Sequence, residues 1–214
     1  YDSKKSGGVT ISHLRFGKNP IGSSYYVNDC NTLVVTKDSY LKKYDIVSKL
    51  KDNGIFILNT SRAPHELLTN RDKDYIYKHK IKVYTIDAES LASSVGLGGK
   101  ISSIMEILIF KLCHILDYNY AFDEIKKSLE KKFKDKGNDV LEKNLKAISL
   151  ASDNFKEMNF TKKDIGEIEL ENEEMTLFDV LESRMGNRIP VSSFLSSLDG
   201  MTPPPTSSFE RRYT

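Results

Sequence analysis

Three short runs of consecutive apolar residues constrain this chain more than any other feature: Thr32–Lys37 (TLVVTK), Gly54–Asn59 (GIFILN) and Ile81–Asp87 (IKVYTID). A strand that alternates apolar and polar residues buries one face, whereas a strand that is apolar throughout buries both. Helical spacing separates the runs. The expected fold class is therefore α/β: an open, mostly parallel sheet with helices on both faces, Rossmann-like. Between the first two runs, Tyr40, Tyr44, Val47 and Leu50-Lys51 recur at roughly helical spacing, with Ser39 placed to cap and Asn53-Gly54 to terminate. Arg71–His79 and Ala88–Val95 read as short helices. Gly96-Leu97-Gly98-Gly99 turns into a long helix, Lys100–Leu116, expected to be central with Ile104, Leu108 and Leu112 buried. Two more helices follow, Ala121–Phe133 with Phe122, Ile125, Leu129 and Phe133 on one stripe, and Val140–Ala151. Ahead of all this, Val9–Phe16 and Ile21–Asn28 are rich in β-formers and flank the turn signal Gly17-Lys18-Asn19-Pro20.

The organisation changes after residue 160. Residues 1–160 carry the alternating pattern. Residues 161–214 read as an extended, largely irregular segment that wraps another surface. Within it, residues 161–185 hold three basic and eight acidic residues, a net of −5. Thr176–Met185 is a candidate short helix, and Asp199-Gly200 and Pro203–Ser208 are turn-rich. The chain opens on Tyr1 rather than Met, and the expected α/β unit lacks its first strand and helix, so a piece of a longer protein is expected.

Charge and composition exclude several function classes. The formal net charge of +2, from 32 basic and 30 acidic residues, does not indicate wrapping of nucleic acid. The longest apolar stretch, Ile101–Leu116, is interrupted by Glu106, Lys111 and His114. It falls short of the roughly 20 apolar residues a membrane span needs, so no membrane role is expected. Residues 1–15 have no apolar leader core, and a cytoplasmic location is expected. Cys30 and Cys113 make neither a disulfide framework nor a cluster site, no Cys-x-x-Cys is present, and no metal site is expected. Cys113 reads as a small buried hydrophobe and Cys30 as an unactivated loop thiol.

The densest chemistry lies at the start. Residues 1–20 hold four basic and one acidic residue, with Lys4, Lys5, Ser6, Gly7 and Gly8 in sequence. A Ser-Gly-Gly turn leaves backbone amides uncovered, and adjacent lysines add compact positive charge, a combination suited to phosphate. The alternative is a glycine turn before a strand, with a solvated lysine pair. Gly96–Gly99 precedes a helix, where an anion can sit, but a tight turn is the preferred reading. His13 and Arg15, two apart on an expected strand, share one face and read as a structural pair before a catalytic one. No catalytic residue is assigned.

The run YDSKKSGGVTISHLRFGKNPI closely resembles the pyruvate:ferredoxin (flavodoxin) oxidoreductase family. Matching stretches follow in order: Val27-Asn28, Ser39-Tyr40-Leu41, Lys43-Tyr44-Asp45, Leu58-Asn59-Thr60, Tyr84–Ala88 and Gly96–Ile101. Arg188–Phe194, Asp199-Gly200 and Thr206–Arg212 complete the series. Arg211 stands where the family shows lysine in a Glu-Lys-Arg motif, and Pro205 where it tends to have glycine. The resemblance implies an enzyme that oxidatively decarboxylates pyruvate to acetyl-CoA and CO2. Its cofactors are thiamine diphosphate, Mg2+ and iron–sulfur (4Fe-4S) clusters, and its electrons go to ferredoxin or flavodoxin. Residues 1–160 then correspond to most of the third, coenzyme A-binding domain. Residues 161–214 correspond to the connecting segment towards the ferredoxin-like domain. On this reading Lys4, Lys5, Ser6, Gly7 and Gly8 contact coenzyme A phosphates, and His13 and Arg15 support a domain interface. The fragment binds no cofactor alone. The implied partners are the thiamine-binding and ferredoxin-like domains of the same enzyme, in a homodimer. Two variants stay open, a non-catalytic scaffold module and the same domain in a pyruvate:NADP oxidoreductase fusion. A hydrogenosome or similar organelle is the alternative location.

Overall fold

The computed structural model describes residues 9–22, 26–134, 137–168, 180 and 189–197. Four strands form one sheet in the order β1 (Cys30–Val35), β2 (Leu50–Asn59), β3 (Lys82–Ile86) and β4 (Lys156–Met158). The first three are parallel, and β4 runs antiparallel against β3, pairing Val83 with Met158. The three apolar runs are thus the three parallel strands. Adjacent side chains point to opposite faces, so each run feeds two cores. Ile57 and Ile86 join one core; Phe56, Leu58 and Val83 join the other.

The helices divide between those faces. On one side lie α1 (Pro64–Leu67) and α2 (Asn70–Lys78), with Leu67 and Ile76 buried beside Val47 and Leu50. On the other lie α3 (Ala88–Ser94), α4 (Ser102–Cys113), α5 (Tyr118–Phe133) and α6 (Asn138–Ala151). Their starts follow local chemistry. Thr69 and Asp72 form a reciprocal capping box for α2, and Asp87 and Asp117 cap α3 and α5 by accepting from the amides of Ser90 and Tyr120. Helix α4 is the central one, with Ile104, Ile107 and Leu108 fully buried and Leu112 nearly so. It ends at His114, which takes a left-handed conformation (φ 48°), two residues before the expected Leu116. Lys111 ties α4 to the end of α6 by donating to the Ser152 carbonyl at 2.5 Å. Its ammonium also lies 5.2 Å from the Tyr118 ring centre and 5.6 Å from that of Phe155. Among the described residues no helix is long and apolar enough to cross a membrane.

Three expectations fail. The helix from Ser39 to Lys51 is absent: 3-10 turns occupy Asp38–Lys42 and Val47–Lys49, and β2 begins at Leu50. Val47 and Leu50 are each 1% exposed, and Leu50 is taken up by the sheet, where it pairs with Cys30 of β1. Asn53-Gly54 is therefore no helix end but an irregularity inside β2, where the register with β1 jumps between Cys30–Leu50 and Thr32–Ile55. Asn53 adopts φ 58° and donates its amide to the His79 carbonyl. Gly54 lets strands approach, since a Cβ there would lie 2.8 Å from the Lys51 carbonyl oxygen and 3.1 Å from that of Asn31. The strands expected at Val9–Phe16 and Ile21–Asn28 do not form among the described residues. That segment has no sheet to join, and its large apolar side chains point outward. Strand β4, Lys-Glu-Met, carries no apolar run that would mark it in the sequence.

Beyond residue 158 the chain crosses to the α2 face. Asn70 donates to the Glu167 carbonyl at 2.9 Å and accepts from the Gly166 amide at 3.2 Å. His65 packs on Phe160 with ring centres 4.6 Å apart. The expected helix Thr176–Met185, Arg188, Asp199-Gly200 and the Thr206–Arg212 motif lie outside the described residues, apart from Val180 in the first.

Three outcomes follow from this packing. Leu108→Ala removes side-chain volume from a fully buried site and is expected to cost about 2–5 kcal/mol on chemical denaturation. Leu150→Ala, on the exposed side of α6, should stay within about 0.5 kcal/mol of the parent. Gly54→Ala forces a methyl group against backbone oxygens and should cost about 1–3 kcal/mol in the same measurement. A neutral Gly54→Ala would show that β2 does not carry this close approach.

Candidate functional site

In open α/β sheets, ligands bind where the parallel strands end in their carboxyl termini, because the loops there diverge and leave a crevice. In this chain that edge is built around Asn59, the last residue of β2, which is 5% exposed. Its amide nitrogen donates to the Thr36 carbonyl after β1 at 3.0 Å. Its amide oxygen accepts from the Ala88 amide at the start of α3 at 2.9 Å. Thr60 extends the tie, its backbone amide donating to the Ile86 carbonyl at 2.9 Å. The loops that leave β1, β2 and β3 are thereby fastened together at their first residues.

A charged set sits on this base. The Thr60 hydroxyl donates to Asp38 Oδ2 at 2.9 Å and accepts from the Arg62 amide at 3.1 Å. Arg62 Nε and Nη2 reach the same Asp38 oxygen at 3.0 and 2.9 Å. Burial alone would raise the Asp38 carboxyl, but the hydrogen bonds from Arg62 and Thr60 outweigh it and hold the carboxyl below its ordinary value. Asp38 is therefore an anion that orients Arg62, not a proton donor near neutral pH. Lys37 pairs with Glu89 at 2.6 Å across the same edge. The arrangement shapes loops and presents oriented cations. Its acids and bases are already committed to one another.

The residues singled out from the sequence fall in separate places. Lys4, Lys5, Ser6, Gly7 and Gly8 lie outside the described residues. His13 and Arg15 are brought together by a loop instead of a strand. The Val27 amide donates to His13 Nδ1 at 3.1 Å, and Arg15 Nη2 donates to the Tyr26 carbonyl at 3.2 Å. Both side chains thus brace the same stretch of backbone. In the Gly96–Gly99 turn, Gly96 and Gly98 take φ values of 79° and 60°, and the Leu97 amide returns to the Ala92 carbonyl at 2.8 Å. The turn ends α3 and buries Leu97, and α4 starts only at Ser102.

Neither thiol is placed to be activated by a neighbouring base among the described residues. Burial pushes up both, with Cys113 sharing a 3.2 Å contact with the Thr32 hydroxyl and Cys30 pointing to the Lys49 carbonyl. Among the described residues no three His, Cys, Asp or Glu side chains are placed to hold a metal ion. Sequence reasoning gave no role to Asn59, Thr60, Asp38 or Arg62. The available signal was an apolar strand ending in Asn-Thr, the point where a buried strand meets its polar loop.

Comparison with known proteins places the chain. The family model for pyruvate ferredoxin/flavodoxin oxidoreductase matches residues 1–153. A pyruvate-flavodoxin oxidoreductase of Klebsiella pneumoniae is 35% identical across 99% of the chain, and a pyruvate:ferredoxin oxidoreductase of Moorella thermoacetica is 34% identical across the same share. The chain spans about a fifth of the length of these relatives, 19% in each. A pyruvate dehydrogenase [NADP(+)] of Cryptosporidium parvum is 34% identical over 76% of the chain and 9% of its own length. The fold is similar to the pyruvate oxidoreductase subunit PORC of Thermotoga maritima, with a TM-score of 0.51 and 20% identity over 62% of this chain and 67% of that one. A sheet of this topology, a family match over residues 1–153 and relatives of one kind along 99% of the chain agree: the chain belongs to the pyruvate ferredoxin/flavodoxin oxidoreductase family.

Proposed function

We propose that this chain is one segment of a large oxidoreductase that converts pyruvate and coenzyme A to acetyl-CoA and CO2, passing two electrons to ferredoxin or flavodoxin. Its own task in that enzyme is to bind coenzyme A. The observation that carries the reading is the family match, which runs from Tyr1 through Lys4–Gly8 to residue 153. Coenzyme A bears a pyrophosphate and a 3′-phosphate. Two adjacent lysines and a Ser-Gly-Gly backbone supply the charge and uncovered amides that such groups need. The domain is taken to end near residue 160, with residues 161–214 leading on to the cluster-bearing part.

The described residues do not fit the redox and decarboxylating groups of such an enzyme. Two half-buried, hydrogen-bonded thiols cannot ligate a 4Fe-4S cluster, and no acidic group is arranged for the magnesium of thiamine diphosphate. Those groups belong, on this reading, to the other four fifths of the polypeptide, and the chain contributes substrate binding and domain architecture. A parent enzyme of this kind acts in the cytoplasm or, in some eukaryotes, a hydrogenosome. A second reading, a fusion that hands its electrons to NADP, is favoured by the Cryptosporidium relative. It alters the acceptor and leaves the role of this segment unchanged.

Replacement of Lys4 and Lys5 by alanine in the full-length enzyme tests the assignment. The affinity for coenzyme A should fall by about 1.5–3 kcal/mol for each charged hydrogen bond lost. The loss should shrink as salt rises, because exposed charges are screened over about 8–10 Å. Decarboxylation of pyruvate without coenzyme A should continue at the parent rate. An unchanged KM for coenzyme A would leave the segment as a scaffold that docks the thiamine and iron–sulfur domains.

A further inference from the structure

Strand β2 carries a step that is labile in a free chain. Asn53-Gly54 is the one Asn-Gly pair in the sequence. In such a pair the peptide nitrogen of the glycine can attack the side-chain carbonyl carbon of the asparagine, because no Cβ shields that nitrogen or restricts its backbone. The new N–C bond closes a cyclic imide, and the side-chain nitrogen leaves as ammonia. Water then opens the imide at either carbonyl. One product is aspartate on the ordinary main chain. The other is isoaspartate, whose main chain runs through the side chain and is one methylene longer. The balance is one water consumed and one ammonia released, with no oxidant or reductant. The reacting side chain is accessible here: Asn53 is exposed, and its amide group bonds to none of the described residues.

The backbone on either side of that side chain is held. Ring closure must swing the Gly54 nitrogen towards the Asn53 side chain, which turns the peptide plane between the two residues. Ahead of that plane, the Asn53 amide donates to the His79 carbonyl at 2.8 Å. Beyond it, Ile55 pairs with Thr32 of β1 on one side and with Lys82 of β3 on the other. Gly54 is buried between them, packed closely on the Lys51 and Asn31 carbonyl oxygens. The residue that accepts from Asn53 is fastened in turn. His79 Nδ1 lies 2.5 Å from Asp52 Oδ1, and the His79 ring stacks on Tyr75 with centres 3.9 Å apart. The Tyr75 hydroxyl donates to the Leu50 carbonyl at 2.7 Å. The end of α2 and the start of β2 thus form one junction. We propose that Asn53 is a latent modification site gated by this junction: closed, it keeps Asn53-Gly54 from cyclising, and opened, it releases the step, so that deamidation at residue 53 marks chains whose junction has opened. No residue of the coenzyme A assignment takes part.

The test compares the full-length enzyme, native or unfolded in guanidinium chloride, in one mildly alkaline buffer. Peptide mass spectrometry reads conversion at residue 53, and an isoaspartate methyltransferase assay reads the longer product. Native conversion is expected to be at least about tenfold slower than conversion of the unfolded chain, since only the opened fraction reacts. Asp52→Ala removes the partner of His79 and should raise the native rate at least about threefold. Each rate is divided by that of the same variant unfolded, which removes the direct effect of the neighbouring side chain. Equal native and unfolded rates would overturn the proposal, and so would a ratio unchanged by Asp52→Ala. Should that variant not accumulate, Tyr75→Phe removes the bond to the Leu50 carbonyl, and the same rise is expected, with an unchanged ratio counting against the gate. Hydrogen exchange at the Asn53 amide should quicken in step with conversion in either variant. Faster conversion without faster exchange would place the reaction in the closed chain and equally overturn the proposal.

Discussion

One buried side-chain amide holds the carboxyl edge of this fold together. Parallel strands leave the sheet with their last carbonyls and the following amides facing a crevice, and each unpaired buried group there costs about 1–3 kcal/mol. Asn59 satisfies one such carbonyl and one such amide on two different loops. An aspartate in its place would lack the donor for Thr36, and a leucine would lack both functions. Everything at that edge, from the Asp38–Arg62 pair to the start of α3, takes its position from this amide and from the neighbouring Thr60 bonds.

The parts of the fold that could be read from the sequence share a physical property: their burial pattern is long enough to outweigh local ambiguity. Phe56, Ile57 and Leu58 are all fully buried, and no surface-exposed element tolerates such a run. The same holds for α4, whose Ile104, Leu108 and Leu112 lie on the expected face. Tyr40, Tyr44 and Val47 satisfy helical spacing by count alone, yet the segment Asp38–Lys49 holds two 3-10 turns. Tertiary burial of Leu50 and the commitment of Asp38 to Thr60 and Arg62 decide its shape, and neither is visible locally. Strand β4 lies at the sheet edge, where three backbone pairings suffice and side-chain pattern counts for little.

The candidate site divides along the same line. Glycines and lysines near the amino terminus announce themselves by type, and the resemblance of that run to an enzyme family agrees with the family match over residues 1–153. Asn59 and Thr60 do not, because their function is to join backbone groups that are distant in sequence. His13 and Arg15 meet through Tyr26 and Val27, not through strand alternation. Side chains that bond to backbone substitute for a ladder where no neighbouring strand exists.

The clasp of Asn70 on Gly166 and Glu167 has a mechanical consequence. It grips backbone atoms only, so the residues that follow are free to change their chemistry without loosening it; Gly166 is the exception, since a Cβ there would lie 2.8 Å from the Asn70 amide nitrogen. Tension arriving from beyond residue 168 is received first at the amino end of α2, which its own capping box makes rigid. It reaches β4, held by only three residues, afterwards. A pull on the chain at residue 168 would thus meet Asn70 before it met the edge of the sheet.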